Sequence, residues 1–285
     1  MLSKHALIGS ILLFLGVLAV PHSVEAGTLI GTSLGVIYDI DPLTGVAGNP
    51  RDTGGIAGSI EYTGGALYGA SARSLYRIDI VSGVTDLLGD LDGLEVPQTV
   101  YDLAWDETSE TLYALVHRGG TTSDFLFTVD TTTFGVTEVG RLDNSTSTIA
   151  FDSTGALFAV NPVDDTVAIL DKTDASVIST VPITPPPGLG AAMAFGEGGT
   201  LFVATDVADD PSVLFTLDPA TGALDLLGSA GLEHDLLSLT YIPEPGTLLL
   251  LIAGVLGFWV VPHPCVARVG DGSIRRLATN SPDPG

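Results

Sequence analysis

Three observations predict an all-β ring of five repeated units, a five-bladed β-propeller closed by its terminal strands. A strand signature recurs five times, a second strand series carrying one aromatic each keeps the same spacing, and the two series are out of phase at the chain ends. The first series reads Gly27-Thr28-Leu29-Ile30, Gly65-Ala66-Leu67-Tyr68, Glu110-Thr111-Leu112-Tyr113, Gly155-Ala156-Leu157-Phe158 and Gly199-Thr200-Leu201-Phe202, with the leucines 38, 45, 45 and 44 residues apart.

Each copy is followed by an alternating apolar strand ending in Asp: Ile40-Asp41, Ile78-Asp79, Val129-Asp130, Leu170-Asp171 and Leu217-Asp218. Three continue as Asp-x-x-Thr/Ser-Gly, at Asp41 to Gly45, Asp79 to Gly83 and Asp218 to Gly222. There the carboxylate caps its own turn and Gly tolerates positive φ. The copy at Asp171 has degenerated to Asp171-Lys172-Thr173-Asp174-Ala175. A short strand then ends in apolar-Gly, as at Leu88-Gly89, Val139-Gly140 and Leu227-Gly228.

The second series carries Tyr62, Trp105, Phe151, Phe195 and Tyr241, spaced 43, 46, 44 and 46 residues apart. Four short strands in about 43 residues make a propeller blade. The body opens on the Leu29 strand with no aromatic strand before it, and closes on Leu236 to Tyr241 with no Leu strand after it. Pairing the last strand with the first completes the broken blade and removes the edges that invite aggregation. The 216 residues from Gly27 to Ile242 hold five such units. An open β-solenoid is the alternative.

The flanks read differently. Residues 1–26 form a signal helix: Lys4 and His5 head an apolar run, Ala6 to Val20, and Val24-Glu25-Ala26 offers small residues for a cut between Ala26 and Gly27. After the body come Pro243-Glu244-Pro245, an apolar helix from Leu248 to Val261, and Arg268, Arg275 and Arg276. Fourteen helical residues reach about 21 Å, a short transmembrane span. The arginines place 262–285 in the cytoplasm as a disordered tail, with 243–261 as motif plus helix.

Pro243-Glu244-Pro245, the short hydrophobic helix and the late arginines resemble the PEP-CTERM sorting signal, a tail also called an ice-binding protein C-terminal domain. One departure is that Pro262 to Ala267 separate the helix from the arginines. The resemblance implies an exported protein, handled by an exosortase-like membrane enzyme, that passes from a transient inner-membrane anchor to the cell surface or an exopolysaccharide matrix. The body is similar to exported propellers of the YVTN and quinoprotein-like kind, which implies the fold and no particular activity.

Net charge −24 excludes nucleic acid, since no basic stripe offsets it. Hydrophobic content of 45% excludes disorder of the body. Thirty of the 34 acids lie between Gly27 and Ile242, 23 of them Asp, against six basic residues, which makes the turns acidic. His117 and His234 fall in different repeats, with His117 at a strand end before Arg118-Gly119-Gly120 and read as a loop residue, and the single Cys265 lies in the tail, so no triad, zinc site or disulfide is expected in the body.

Calcium would suit the Asp-rich loops, of which Asp206, Asp209 and Asp210, Asp164-Asp165, and Asp86 to Asp92 ending in Gly93 are the densest, but none has EF-hand spacing and solvated turn carboxylates are favoured. A glycoside hydrolase would need paired carboxylates, and Asp102, Asp106, Asp152, Glu61 and Glu197 stand at or beside the aromatic strands in inequivalent positions, where structural placement is favoured. The aromatics could form a sugar-stacking surface, although recurrence in every blade favours packing between blades. The expected function is a non-enzymatic surface binding or structural module without a cofactor, partnered by exopolysaccharide or a surface protein. A glycan-active surface enzyme and a calcium-stabilised adhesion module are the alternatives.

Overall fold

A computed structural model describes residues 27–56, 58–120, 123–142, 145–184, 189–207 and 210–243. The signal segment with Ala26, the motif residues Glu244 and Pro245, the apolar 248–261 segment, Cys265 and Asp209 lie outside the described residues. Among the described residues no helix is long and apolar enough to cross a membrane.

Five antiparallel sheets of four strands make a five-bladed propeller. In the first blade β1 (Thr28–Ser33), β2 (Val36–Ile40) and β3 (Ala47–Asp52) are completed from the far end of the chain by β20 (Ser238–Ile242). The second holds β4 (Ser59–Thr63), β5 (Ala66–Ser71), β6 (Ser74–Ile78) and β7 (Thr85–Asp90), and the third β8 (Gln98–Asp106), β9 (Thr111–Arg118), β10 (Asp124–Val129) and β11 (Val136–Arg141). The fourth holds β12 (Thr148–Phe151), β13 (Leu157–Asn161), β14 (Thr166–Leu170) and β15 (Val177–Pro182), and the fifth β16 (Leu189–Phe195), β17 (Leu201–Val207), β18 (Asp210–Leu217) and β19 (Leu224–Ser229). Strands β20, β4, β8, β12 and β16 are innermost, each against the inner strands of both neighbouring blades.

The two sequence series meet at equivalent places. Tyr62 pairs with Leu67, Trp105 with Leu112, Phe151 with Leu157, Phe195 with Leu201 and Tyr241 with Leu29. The five leucines are buried, and the aromatics pack into the apolar layers between blades while also lining the channel mouth. Closure is a full register of five pairs, from Thr28 opposite Ile242 to Thr32 opposite Ser238.

All five Asp turns have the same geometry, the copy at Asp171 included. In each, the Asp carbonyl accepts from the amide four residues on: Gly45, Gly83, Phe134, Ala175 and Gly222, at 2.7–2.8 Å. Phe134 and Ala175 take positive φ (62° and 63°) where the other turns have Gly. The carboxylates accept from amides inside their turns, for example Leu43 to Asp41 and Thr132 to Asp130, both 2.8 Å. These bonds favour the charged form, so all five carboxyls are held below the ordinary aspartate range.

The apolar-Gly ends of the outer strands mark where blades dock. A Cβ on Gly140 of β11 would meet the Asp174 carbonyl oxygen in the turn of the next blade, and one on Gly228 of β19 would meet that of Thr44. Only a residue without a side chain lets the neighbouring turn cover the outer strand this closely.

Candidate ligand site at the channel mouth

The inner strands have one partner each, so their channel-side edges carry amides that no strand satisfies. Side chains of the preceding blade fill that role from two repeated positions. One residue before the aromatic, Thr240 Oγ1 accepts from the Tyr62 amide (2.9 Å), and Glu61 Oε1 accepts from the Trp105 amide (3.0 Å). Three residues before the aromatic, Ser238 Oγ accepts from the Ile60 amide (3.1 Å), and Asp102 Oδ2 accepts from the Ile149 amide (3.0 Å).

The caps are also bonded to each other. Thr240 Oγ1 donates to Glu61 Oε2 at 3.1 Å, Thr148 Oγ1 donates to Asp102 Oδ2 at 2.6 Å, and Ser238 Oγ lies 3.0 Å from Asp102 Oδ1. Burial pushes the Glu61 carboxyl up to about 8, against the pull of its Trp105 and Thr240 bonds and with help from the nearby charges of Asp102 and Glu107. Burial likewise pushes Asp102 up to about 7, against its bonds to Thr148, Ile149 and Ser238. Ser59, in the same place as Asp102 and fully buried, has a hydroxyl with no hydrogen-bond partner in the structure.

In the other three blades the position before the aromatic is Ala104, Ala150 and Ala194, which accept no hydrogen bond and fill little space. There the channel widens into an open cavity of about 670 Å³. Its wall carries the five aromatics and its rim Glu107, Asp152 and Glu197, with Glu61 and Thr240 to one side and Pro243, where β20 ends, at the edge. Among the described residues no lysine, arginine or histidine lines it.

The whole face is biased the same way. Each inner strand ends at the mouth, and so does each third strand, which places Asp41, Asp79, Asp130, Asp171 and Asp218 on this face. Of the six basic residues between Gly27 and Ile242, Arg77 and Lys172 belong to this face, and Lys172 is bound to Asp106 Oδ2 at 2.5 Å. Burial alone would raise the Asp106 carboxyl, but the bonds from Lys172, Ser109 and Thr108 outweigh it and leave the carboxyl far below the usual range.

The carboxylates singled out from sequence are therefore divided. Glu61, Asp152 and Glu197 reach the mouth, whereas Asp102 is 2% exposed and Asp106 is fully buried beneath Lys172. Glu107 was missed, although it stands two residues after Trp105 as Glu197 does after Phe195, and that offset is visible in the repeat. The ring aromatics pack between blades, as their recurrence favours, and all five also line the mouth.

His117 stands at the end of β9, inside the strand rather than in the loop that follows, with Nδ1 2.9 Å from Asp124 Oδ1 and its ring against Tyr101 (centroids 5.5 Å apart) at the opposite end of the ring. Asp206 and Asp210 belong to the hairpin of β17 and β18, also at that end, and among the described residues no group of three His, Cys, Asp or Glu is placed to hold a metal.

No protein-family model and no curated protein matches the chain. Solved structures do. A Bacteroides caccae protein of unknown function has TM-score 0.52 at 10% identity, covering 77% of this chain and 100% of that one. A chain of a nidogen/laminin complex has TM-score 0.49 at 10% identity, covering 76% and 98%. Virginiamycin B lyase from Staphylococcus aureus has TM-score 0.42 at 13% identity, covering 72% and 68%. At these identities the likeness is one of fold alone.

Proposed function

We propose that the chain is a non-enzymatic binding module of the cell exterior that takes an extracellular polysaccharide at its channel mouth. One observation carries this reading. The two carboxyls with the most raised pKa, Glu61 and Asp102, have all four oxygens engaged with inner-strand amides and hydroxyls, while the aromatic-lined cavity beside them stays open. An acid or base of glycoside hydrolysis needs a carboxyl free to meet the glycosidic oxygen or a water. Acceptors already committed to capping strand edges are suited to holding blades together. Partly exposed aromatic rings at one end of a concave site are suited to sugar faces.

Incubating the full chain with the polysaccharide secreted by its own cells tests this. Retention on the polysaccharide without new reducing ends is expected. Release of new reducing ends by the chain, lost on replacing Glu61 or the exposed rim carboxylates Glu107 and Glu197 by the corresponding amides, would overturn it in favour of a glycan-active enzyme.

Export and sorting belong to the same proposal. The leader before Gly27 and the Pro243-Glu244-Pro245 segment would carry the ring out and hand it to an exosortase-like enzyme. Replacing Glu244 by Ala should change the size or location of the product, and an unchanged product would remove the sorting role of the motif.

A further inference from the structure

The mouth combines three kinds of chemistry that together narrow the ligand. Its rim is anionic: Glu107 and Glu197 are exposed, Asp152 stands between them in ring order, and among the described residues no cationic side chain lines the cavity. Its wall is aromatic. Its third feature is a set of backbone donors, which follows from the capping rule. The amides of Tyr62 and Trp105 are capped by Thr240 and Glu61, whereas the equivalent residues facing Phe151 and Phe195 are Ala104 and Ala150. Both Phe residues line the cavity, so their channel-side amides lack the side-chain cap that their counterparts have.

A ligand that answers all three must offer acceptor oxygens to the amides, flat C–H faces to the rings, and positive charge to the rim. A neutral sugar leaves the carboxylates facing no counter-charge. A simple polyamine leaves the amides without acceptors. An anionic polysaccharide is repelled, and the five turn aspartates of the same face extend that repulsion beyond the rim. The molecule itself contains the pairing in miniature: the Lys172 ammonium sits on Asp106 and 5.8 Å from the centre of the Phe151 ring.

We propose that the mouth binds a polysaccharide segment whose sugars carry free, protonated amino groups. This rests on the reading of the mouth as a polysaccharide site and adds the charge of the sugar.

The test is a calorimetric titration of the full chain at pH 6 with three probes: a glucosamine pentamer, the same pentamer fully N-acetylated, and spermidine. The glucosamine pentamer should bind at one site per chain, and the other two at least tenfold more weakly. In Glu107→Gln/Glu197→Gln its affinity should fall about tenfold. In Asp86→Asn/Asp225→Asn, which removes equal charge from exposed positions on the outer strands β7 and β19, it should be unchanged.

Equal loss in the two double variants would reduce the binding to general attraction by an acidic protein and overturn the proposal. Equal or tighter binding of the N-acetylated pentamer would overturn the cationic assignment while leaving the mouth as a sugar site. Equal binding of spermidine would overturn the sugar requirement. Failure of all three probes would overturn the amino-sugar assignment, and retention on the secreted polysaccharide would still decide the broader reading.

Discussion

Glu61 and Thr240 occupy the same place in adjoining blades and cap the same kind of amide, but only one of them titrates. The folded Glu61 carboxyl titrates at about 8, against an ordinary 4.5, because burial opposes its charge. Between those values the folded chain holds a proton that the unfolded chain has released. The stabilisation linked to this proton is therefore complete below about pH 4.5 and is lost as pH rises towards 8. The melting temperature of the wild type should fall from pH 5 to pH 8, with Asp102 adding to the fall in the lower part of the window. In Glu61→Gln, whose amide can still accept from Trp105, the fall should be shallower, and identical profiles for the two proteins would contradict the assignment. The ring aromatics were legible at this scale because they recur in every blade. The inward placement of Glu61 was not: its counterparts are Ala104, Ala150, Ala194 and Thr240, so no pattern of like residues marks the position.

A turn or an outer strand is recognisable by its residues only where the backbone forces one residue type. The Asp171 turn looked degenerate because Ala175 replaces Gly, yet it has the same hydrogen bonds as the others. A single left-handed residue costs roughly 1–2 kcal/mol, which the capping Asp and the covered blade edge can offset. The outer-strand glycines were legible as a motif, but their reason was not, since it lies in the next blade. At Gly228 that reason is steric: Gly228→Ala presses a methyl against the Thr44 carbonyl and should destabilise the fold by about 2 kcal/mol. Gly48→Ala, with open space around it, should change stability by less than about 0.5 kcal/mol. Urea unfolding of both variants checks this, and equal midpoints would remove the docking role of Gly228.

The ring as a whole depends on a strand contributed from its far end. The phase offset between the two sequence series already implied it, because one blade lacked an inner strand at the start and one was spare at the finish. What no offset could reveal is that β20 also supplies two caps, Ser238 and Thr240, to β4. Its removal therefore opens an edge on β1 and uncaps another. A chain ending at Leu237 should unfold in a broad transition with a reduced dependence on urea. A sharp, unshifted transition would mean that closure contributes little. The acidic bias of the mouth face also emerges only at this scale, where strand direction sends the five turn carboxylates to one side of the ring.

Trp105 reports on the mouth directly once Trp259 is replaced by Phe, since the chain has two tryptophans. Titrating that variant with the secreted polysaccharide should shift the Trp105 emission and saturate. Saturable binding that leaves the emission unchanged would contradict a ligand seated at the mouth.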